Sequence, residues 1–473
     1  MAFSSRLTAF LSLAPSIVTP ALNCRPEGPD VPKPTCLTES PIFQTAASNL
    51  TKALDAAVSG SIEAGWAMEN SSFSLAVISH DQENAGVPIW AYHHLSPENT
   101  RGTKSLDRNS QYLIGSISKV TTVYILLKSG IDLDAPVTEF LPTLDDPNST
   151  IPWQNITLRM LASHLGEAPV NFKSHKVPDV YLAHGLPPMK DSDFPPCGVA
   201  KLNKECSDQQ ALAGMTKLYP VAPPMKRPEY SNTGFANVGS AFEKFTGKNY
   251  TQLVQEIFSD PLNLQDTFPS PVGDEKGVIP PGDTGGLVSS VADMSKFAHA
   301  LLSRTLDLTT TEIEAWLKPA SFAGGPNSMT GMPWEILRLS DLTPDHVHPV
   351  AVCGKNGATA AYRSQLSFVD DYRIAIVVLT AGPMQAAPLL VDVILSTFVS
   401  VVDKVSRYQA KNYERDFTSH EKTHAPIKAT LSQDGDSLVL SSLHRNGIDL
   451  VSGLMDVWCT IMGDFIPEIL LPI

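Results

Sequence analysis

The chain has 473 residues, 49 acidic against 35 basic, for a formal net charge of -14. That surplus repels phosphate backbones and anionic lipid at long range and argues against a nucleic-acid-binding role. With 42% hydrophobic and 18% charged residues, and 38 Pro and 29 Gly spread along its length, the composition excludes general disorder. It fits a globular protein with many ordered loops, long enough for two or three structural units.

At the N-terminus Arg6 precedes an apolar run over residues 7–14 and small residues at Thr19 and Ala21, the pattern of a signal peptide over residues 1–23. The run is too short to span a bilayer, and the alternative is a buried N-terminal helix. A Pro-rich leader occupies residues 24–45. Sequons beginning at Asn49, Asn70, Asn148, Asn155 and Asn249 supply glycosylation acceptors for a secreted chain. Of the six cysteines, Cys24 with Cys36 and Cys197 with Cys206 form candidate local disulfides, and Cys353 reads as a small buried hydrophobe rather than a nucleophile. No cysteine or histidine spacing suggests a metal, and no cofactor is expected.

Periodicity predicts a helix over residues 46–58 and strands over 73–78 and 89–92. Residues 106–280 alternate helical segments with long polar loops and read as an all-helical lobe inserted into a sheet domain. Strands return at 350–352, 365–369 and 374–379, the last two joined through Asp370, Asp371 and Tyr372, and these should pair with the early ones. A helix over 386–402 is read as a core helix, not a membrane span. The catalytic domain therefore covers 46–404. An extension over 405–473 holds a strand pair, 437–443 with 447–451, and an apolar tail whose acids Asp456, Asp464 and Glu468 argue against a lipid-anchor signal.

Three motifs carry chemistry. In Tyr112-Leu-Ile-Gly-Ser-Ile-Ser-Lys, Ser116 should open a helix, which places Lys119 one turn above it on the same face. A serine hydroxyl needs a neighbouring base, and lysine serves only if burial or another cation depresses its pKa. In Arg227-Pro-Glu-Tyr230-Ser-Asn232, two nearby lysines would favour phenolate and make Tyr230 a general base and later an acid, while Asn232 can bond a lysine amine and a substrate amide. In Gly354-Lys355-Asn356-Gly357-Ala358, an edge-strand lysine would point a fixed cation into a cleft, with thin backbone for substrate to pair along. Each motif alone also reads as a helix cap, a loop aromatic or a turn. Ser419-His-Glu-Lys422 and Lys128-Ser-Gly130 are decoys for the first and third.

In this order, the three motifs resemble the serine β-lactamase and penicillin-binding protein superfamily, and within it the class C β-lactamase and esterase branch. Ile156-Thr-Leu-Arg-Met-Leu-Ala-Ser-His164-Leu-Gly and Thr284-Gly-Gly-Leu-Val-Ser-Ser-Val-Ala-Asp293 add to the likeness, which spans about residues 50–402. The leader, the sequons and the Pro-Pro-Cys197 loop resemble those of secreted fungal members. The resemblance implies an α/β fold of the β-lactamase/transpeptidase type: an antiparallel sheet flanked by helices, the inserted helical lobe and here a short C-terminal β extension. It implies acyl-enzyme chemistry on an ester or amide, with a small molecule or peptide as partner, Ser116, Lys119 and Tyr230 catalytic, and Asn232, Lys355, Asn356, Gly357 and Ala358 binding substrate. Backbone N–H groups of Ser116 and Ala358 would form the oxyanion hole. The chain departs from the pattern at Asn356, where β-lactamases carry Thr or Ser, and at Ala360 and Ala361, where Gly-Gly is common; penicillin hydrolysis is not expected from such a site. The alternatives are an acyltransferase or ring-forming enzyme of a fungal secondary-metabolite pathway and an inactive scaffold.

Overall fold

The computed structural model describes residue 29 and residues 31–462, apart from 100–101, 167, 170–173, 176–177, 189, 192–193, 195, 201, 205, 270–285, 360, 420–424 and 435–436. The signal-peptide segment, Cys24, Ala360, Asp464 and Glu468 lie outside the described residues.

Residues 72–79 and 374–381 are short runs without a charged side chain, which suits strands covered on both faces, and every residue in both is buried. The strands in chain order are β1 (Ser72–Ser79), β2 (Trp90–His94), β3 (Tyr112–Gly115), β4 (Phe268–Pro269), β5 (Leu287–Ser289), β6 (Ser321–Phe322), β7 (Ser328–Thr330), β8 (Glu335–Leu339), β9 (Val350–Thr359), β10 (Tyr362–Val369) and β11 (Ile374–Ala381). Eight form one sheet in the order β2-β1-β11-β10-β9-β8-β7-β6. The early strand β1 pairs antiparallel with β2 and with the late β11, and β10 pairs antiparallel with β9 and β11. The turn at Asp370–Tyr372 closes β10 onto β11, with Arg373 in the left-handed region at φ 53°.

The main helices are α1 (Pro41–Val58), α2 (Ser118–Lys128), α3 (Leu158–Ala162), α4 (Asn232–Thr246), α5 (Val291–Leu302) and α6 (Ala386–Ala410). Helix α1 starts five residues before the position expected from periodicity, because Pro41 is suited to a first helical turn, where its missing N–H would have no partner. Helix α5 begins at Ser290, whose hydroxyl accepts from Asp293 N–H at 3.3 Å, and it packs against β1 and β11. Trp334 packs tilted against Trp316 (5.3 Å between centroids) and edge-on to Phe368 (5.7 Å), and Trp316 Nε1 donates to Met332 O at 2.6 Å. The lobe expected to be all helical also contains strand: β3 pairs with β5, and β5 with β4. A two-residue parallel pair, Ser174–His175 with Val199–Ala200, adds to it.

Two expectations are corrected. Strand β9 runs ten residues, not three, and lies between β10 and β8 rather than at the sheet edge. Its two glycines weaken the strand pattern, but crowding requires the second: a Cβ on Gly357 would sit 2.0 Å from Ile114 O, a backbone atom, whereas one on Gly354 would meet the movable end of Gln365 at 2.7 Å.

By internal contacts the chain divides into two compact units, one of Gln44–Arg338 with Ala351–Thr397, the other of the described parts of Met1–Phe43 and Phe398–Ile473 with Leu339–Val350. The second unit carries a four-stranded sheet, β12 (Arg415–Thr418), β13 (Ile427–Asp434), β14 (Ser437–Arg445) and β15 (Ile448–Asp449), followed by α7 (Leu450–Met462). Here the expected strand pair is revised: β14 pairs along its length with β13, and β15 is only two residues long. Asp449 accepts from Val451 N–H at 2.9 Å and from Ser452 Oγ at 2.8 Å, which starts a helix where a strand had been expected. Helix α6 is long and apolar enough by composition to cross a bilayer, with mean hydropathy 1.8 in its most apolar window, but 56% of that window is buried in the fold.

Candidate active site

Ser116 lies in the turn between β3 and α2, two residues before the first residue of the helix rather than opening it. Its carbonyl accepts from Lys119 N–H at 3.1 Å, so the two side chains still share a face. Gly115 supports this turn with φ 51°, and a Cβ there would lie 2.6 Å from Ala358 N. Strand β9 thus passes directly behind the Ser116 turn. Ser364 Oγ, on β10, donates to Ile114 O at 2.7 Å and ties the same crossing.

Tyr230 precedes α4. The helix is capped by Ser231, whose hydroxyl accepts from Gly234 N–H at 2.8 Å and donates to Pro169 O at 2.9 Å. Because Ser231 caps, Asn232 is released to face Lys119, and its Oδ1 accepts from Lys119 Nζ at 2.7 Å. Ser116 Oγ is 2.5 Å from Tyr230 Oη and 3.0 Å from Lys119 Nζ. Lys119 Nζ and Lys355 Nζ stand 5.0 and 5.3 Å from the centroid of the Tyr230 ring. An alcohol, a phenol, an amide and two amines from segments more than 100 residues apart therefore meet in one place.

Lys119 is pushed down to about 7, first by burial and then by the Lys355 cation, with Glu335 offsetting part of the fall. Tyr230 goes the other way: burial raises its pKa, the Ser116 hydrogen bond lowers it, and the Glu335 charge raises it further. The expectation of a phenolate favoured by two nearby lysines is corrected: burial, the largest influence on Tyr230, acts the other way, and the charge of Glu335, which pairs with Lys355, adds to it.

Glu335, on β8, was not singled out from the sequence. Its carboxylate bonds Lys355 Nζ through one oxygen and, through the other, accepts Asn356 N–H at 3.0 Å and Asn356 Nδ2 at 2.8 Å. Lys355 also donates to Asn356 O at 3.0 Å. Asn356 thus holds Glu335. Asn356 N–H points away from β10, and strand alternation gives Ala358 N–H, two residues on, the same direction. The Ala358 side chain is exposed while Gly357 is buried against β3.

His164, quoted above only as part of a family-like phrase, packs on Tyr230 with ring centroids 4.7 Å apart and on Phe235 at 5.1 Å. Ser231 N–H donates to its Nδ1 at 3.1 Å, and burial with the Lys355 and Lys119 charges drives its pKa to about 3. It is a neutral imidazole that positions the Tyr230 segment. A cleft of ≈ 670 Å³ opens in front of His164, Tyr230 and Glu335, with Phe322, Lys226 and Arg227 among its walls.

The decoys behave as such. Lys128 pairs with Asp307 at 2.6 Å, and Gly130 follows the helix end at φ 72°. Ser419 Oγ accepts from Ile427 N–H at 2.9 Å. Cys353 is buried and its thiol pKa is raised by that burial, unlike a nucleophilic thiol. Cys197 and Cys206 form a disulfide. Ala361 places its carbonyl on Gly382 N–H at 2.8 Å.

The sheet order and the flanking helices define a β-lactamase/transpeptidase type of fold, and a family model agrees. The chain belongs to the β-lactamase family, whose model matches residues 74–392. A β-lactamase-like protein of Arthroderma benhamiae is 38% identical, over 92% of this chain and 78% of that protein. The probable hydrolase M10 of a Phoma species is 22% identical over 81% of this chain and 68% of its own length. Among solved structures, a class C β-lactamase superposes with TM-score 0.52 at 15% identity, over 77% of this chain and 98% of that one. A D-stereospecific amidohydrolase from Streptomyces superposes with TM-score 0.51 at 20% identity, over 75% and 98%. These likenesses establish the fold.

Proposed function

We propose that this member of a hydrolase family forms an acyl-enzyme on Ser116 and hydrolyses an ester or amide. The observation that carries the reading is the position of Ser116 Oγ within hydrogen-bond reach of both Lys119 Nζ and Tyr230 Oη. Neutral Lys119 takes the hydroxyl proton as Oγ bonds to the carbonyl carbon, and the carbonyl π electrons move onto oxygen. The N–H groups of Ser116 and Ala358 receive that oxyanion, each contributing about 3 kcal/mol. Collapse breaks the bond to the leaving group, which takes one proton from the Tyr230 phenol, and the Lys119 ammonium returns its proton through Ser116 Oγ to the phenolate, so both groups end as they began. Water then repeats the sequence on the serine ester, releasing the acid. The printed names of the fungal relatives, a β-lactamase-like protein and a probable hydrolase, support the reading.

The reading includes a secreted protein. Its support is that all five sequon asparagines, Asn49, Asn70, Asn148, Asn155 and Asn249, are exposed and that the chain carries a disulfide.

The test is covalent labelling: incubation with a neutral fluorophosphonate, followed by mass spectrometry of the peptide containing Ser116, with Ser116→Ala as control. An adduct on Ser116 in the unaltered chain alone is expected. Absence of any adduct with fluorophosphonates and activated esters would leave the inactive scaffold.

A further inference from the structure

Lys355 Nζ lies 5.3 Å from the centroid of the Tyr230 ring, whose hydroxyl bonds Ser116, and the lysine side chain is 1% exposed. Two of its three N–H donors go to the Glu335 carboxylate and Asn356 O. The Glu335 side chain is 40% exposed and lines the cleft. Both of its oxygens are held, one by Lys355 and the other by two donors of Asn356. The corner one tyrosine ring away from Ser116 is therefore a closed Lys355–Glu335 ion pair with the half-exposed carboxylate on the cleft side, where an unaccompanied lysine would present a net positive charge.

We infer that Glu335 is a specificity-determining residue that fills the Lys355–Asn356 corner and restricts the substrate to esters or amides with a neutral or cationic group beside the scissile bond, excluding a carboxylate there. This rests on the acyl-enzyme reading above. An incoming carboxylate would find the lysine occupied and would face Glu335 at close range in a partly desolvated cleft, and like charges so placed are strongly disfavoured. Asn356 belongs to the same device: an amide supplies the Nδ2–H donor to Glu335, which a threonine hydroxyl in its place would have to supply from a shorter side chain. The exclusion is local. Arg227 is paired with Glu229 at 2.5 Å, and Lys226 stands in the outer cleft wall, so an anionic group far from the reacting bond meets no such barrier.

The experiment uses two activated esters that differ only in an α-substituent, carboxylate or carboxamide, with the full chain, Glu335→Gln and Ser116→Ala. The unaltered chain should favour the carboxamide ester by about 100-fold in kcat/KM. Glu335→Gln should reduce the ratio to about 10-fold or less through a gain on the carboxylate ester. Because Glu335 also tunes Lys119, both substrates will share any change in intrinsic rate, and the ratio cancels it. Equal turnover of the two esters by the unaltered chain overturns the inference even if Glu335→Gln does not fold. An unchanged ratio in a Glu335→Gln protein that still labels with neutral fluorophosphonate overturns it as well. Loss of Ser116 labelling in the unaltered chain sinks the acyl-enzyme reading instead, and the inference with it.

Discussion

Burial dominates both Lys119 and Tyr230, lowering the pKa of the amine and raising that of the phenol, and the Glu335 charge raises each. Only the neutral amine accepts a proton, so acylation of Ser116 should rise with pH through about 7 and level off above it, measured as the labelling rate at fixed probe concentration. Glu335→Gln removes a charge that raises the Lys119 pKa, so the inflection should move to lower pH. An inflection that moves up instead would contradict this arrangement. Lys119→Ala and Tyr230→Phe should each cost about 100-fold or more in turnover of an ester substrate, and wild-type rates in either would refute the assigned roles.

At the scale of the element, the decisive feature is the crossing of β3 behind β9. A methyl group at residue 357 would fall 2.0 Å from Ile114 O, a backbone atom that cannot rotate away. Gly357→Ala should destabilise the protein by about 1–3 kcal/mol, the usual range for overpacking, and should reduce Ser116 labelling more than stability alone explains by displacing Ala358 N–H. Chemical denaturation and labelling rate measured on the same preparation separate the two effects. A fully active, equally stable variant would show that the crossing does not position the oxyanion donors. In the sequence, this glycine was visible only as part of a motif. The strand around it was read as three residues rather than ten, because glycine depresses the local strand pattern and the reason for its presence is a carbonyl some 240 residues earlier.

At the scale of the whole molecule, five sequons distributed over the chain are all exposed at their asparagines. Expression through a eukaryotic secretory pathway should yield a glycoprotein whose mass falls on enzymatic deglycosylation, and Asn→Gln at each sequon should remove one step of that shift. A secreted chain of unmodified mass would count against the proposed location. The net charge of -14 belongs to this scale too: it opposes association with polyanions irrespective of the site's own lysines, which are buried.

What the amino-acid order determined by itself was whatever depends on near neighbours: the apolar runs of the central strands, the turn at Asp370–Tyr372, the i,i+3 relation of Ser116 to Lys119, and the three motifs that mark the family. Tertiary structure alone decided which of those groups carries a charge. Glu335 stands in Trp-Glu-Ile-Leu-Arg-Leu with nothing local to distinguish it from a solvated strand residue, and His164 is ordinary until it meets Tyr230. Electrostatic energies depend on separation in space and on water exclusion, and neither quantity is a property of distance along a chain.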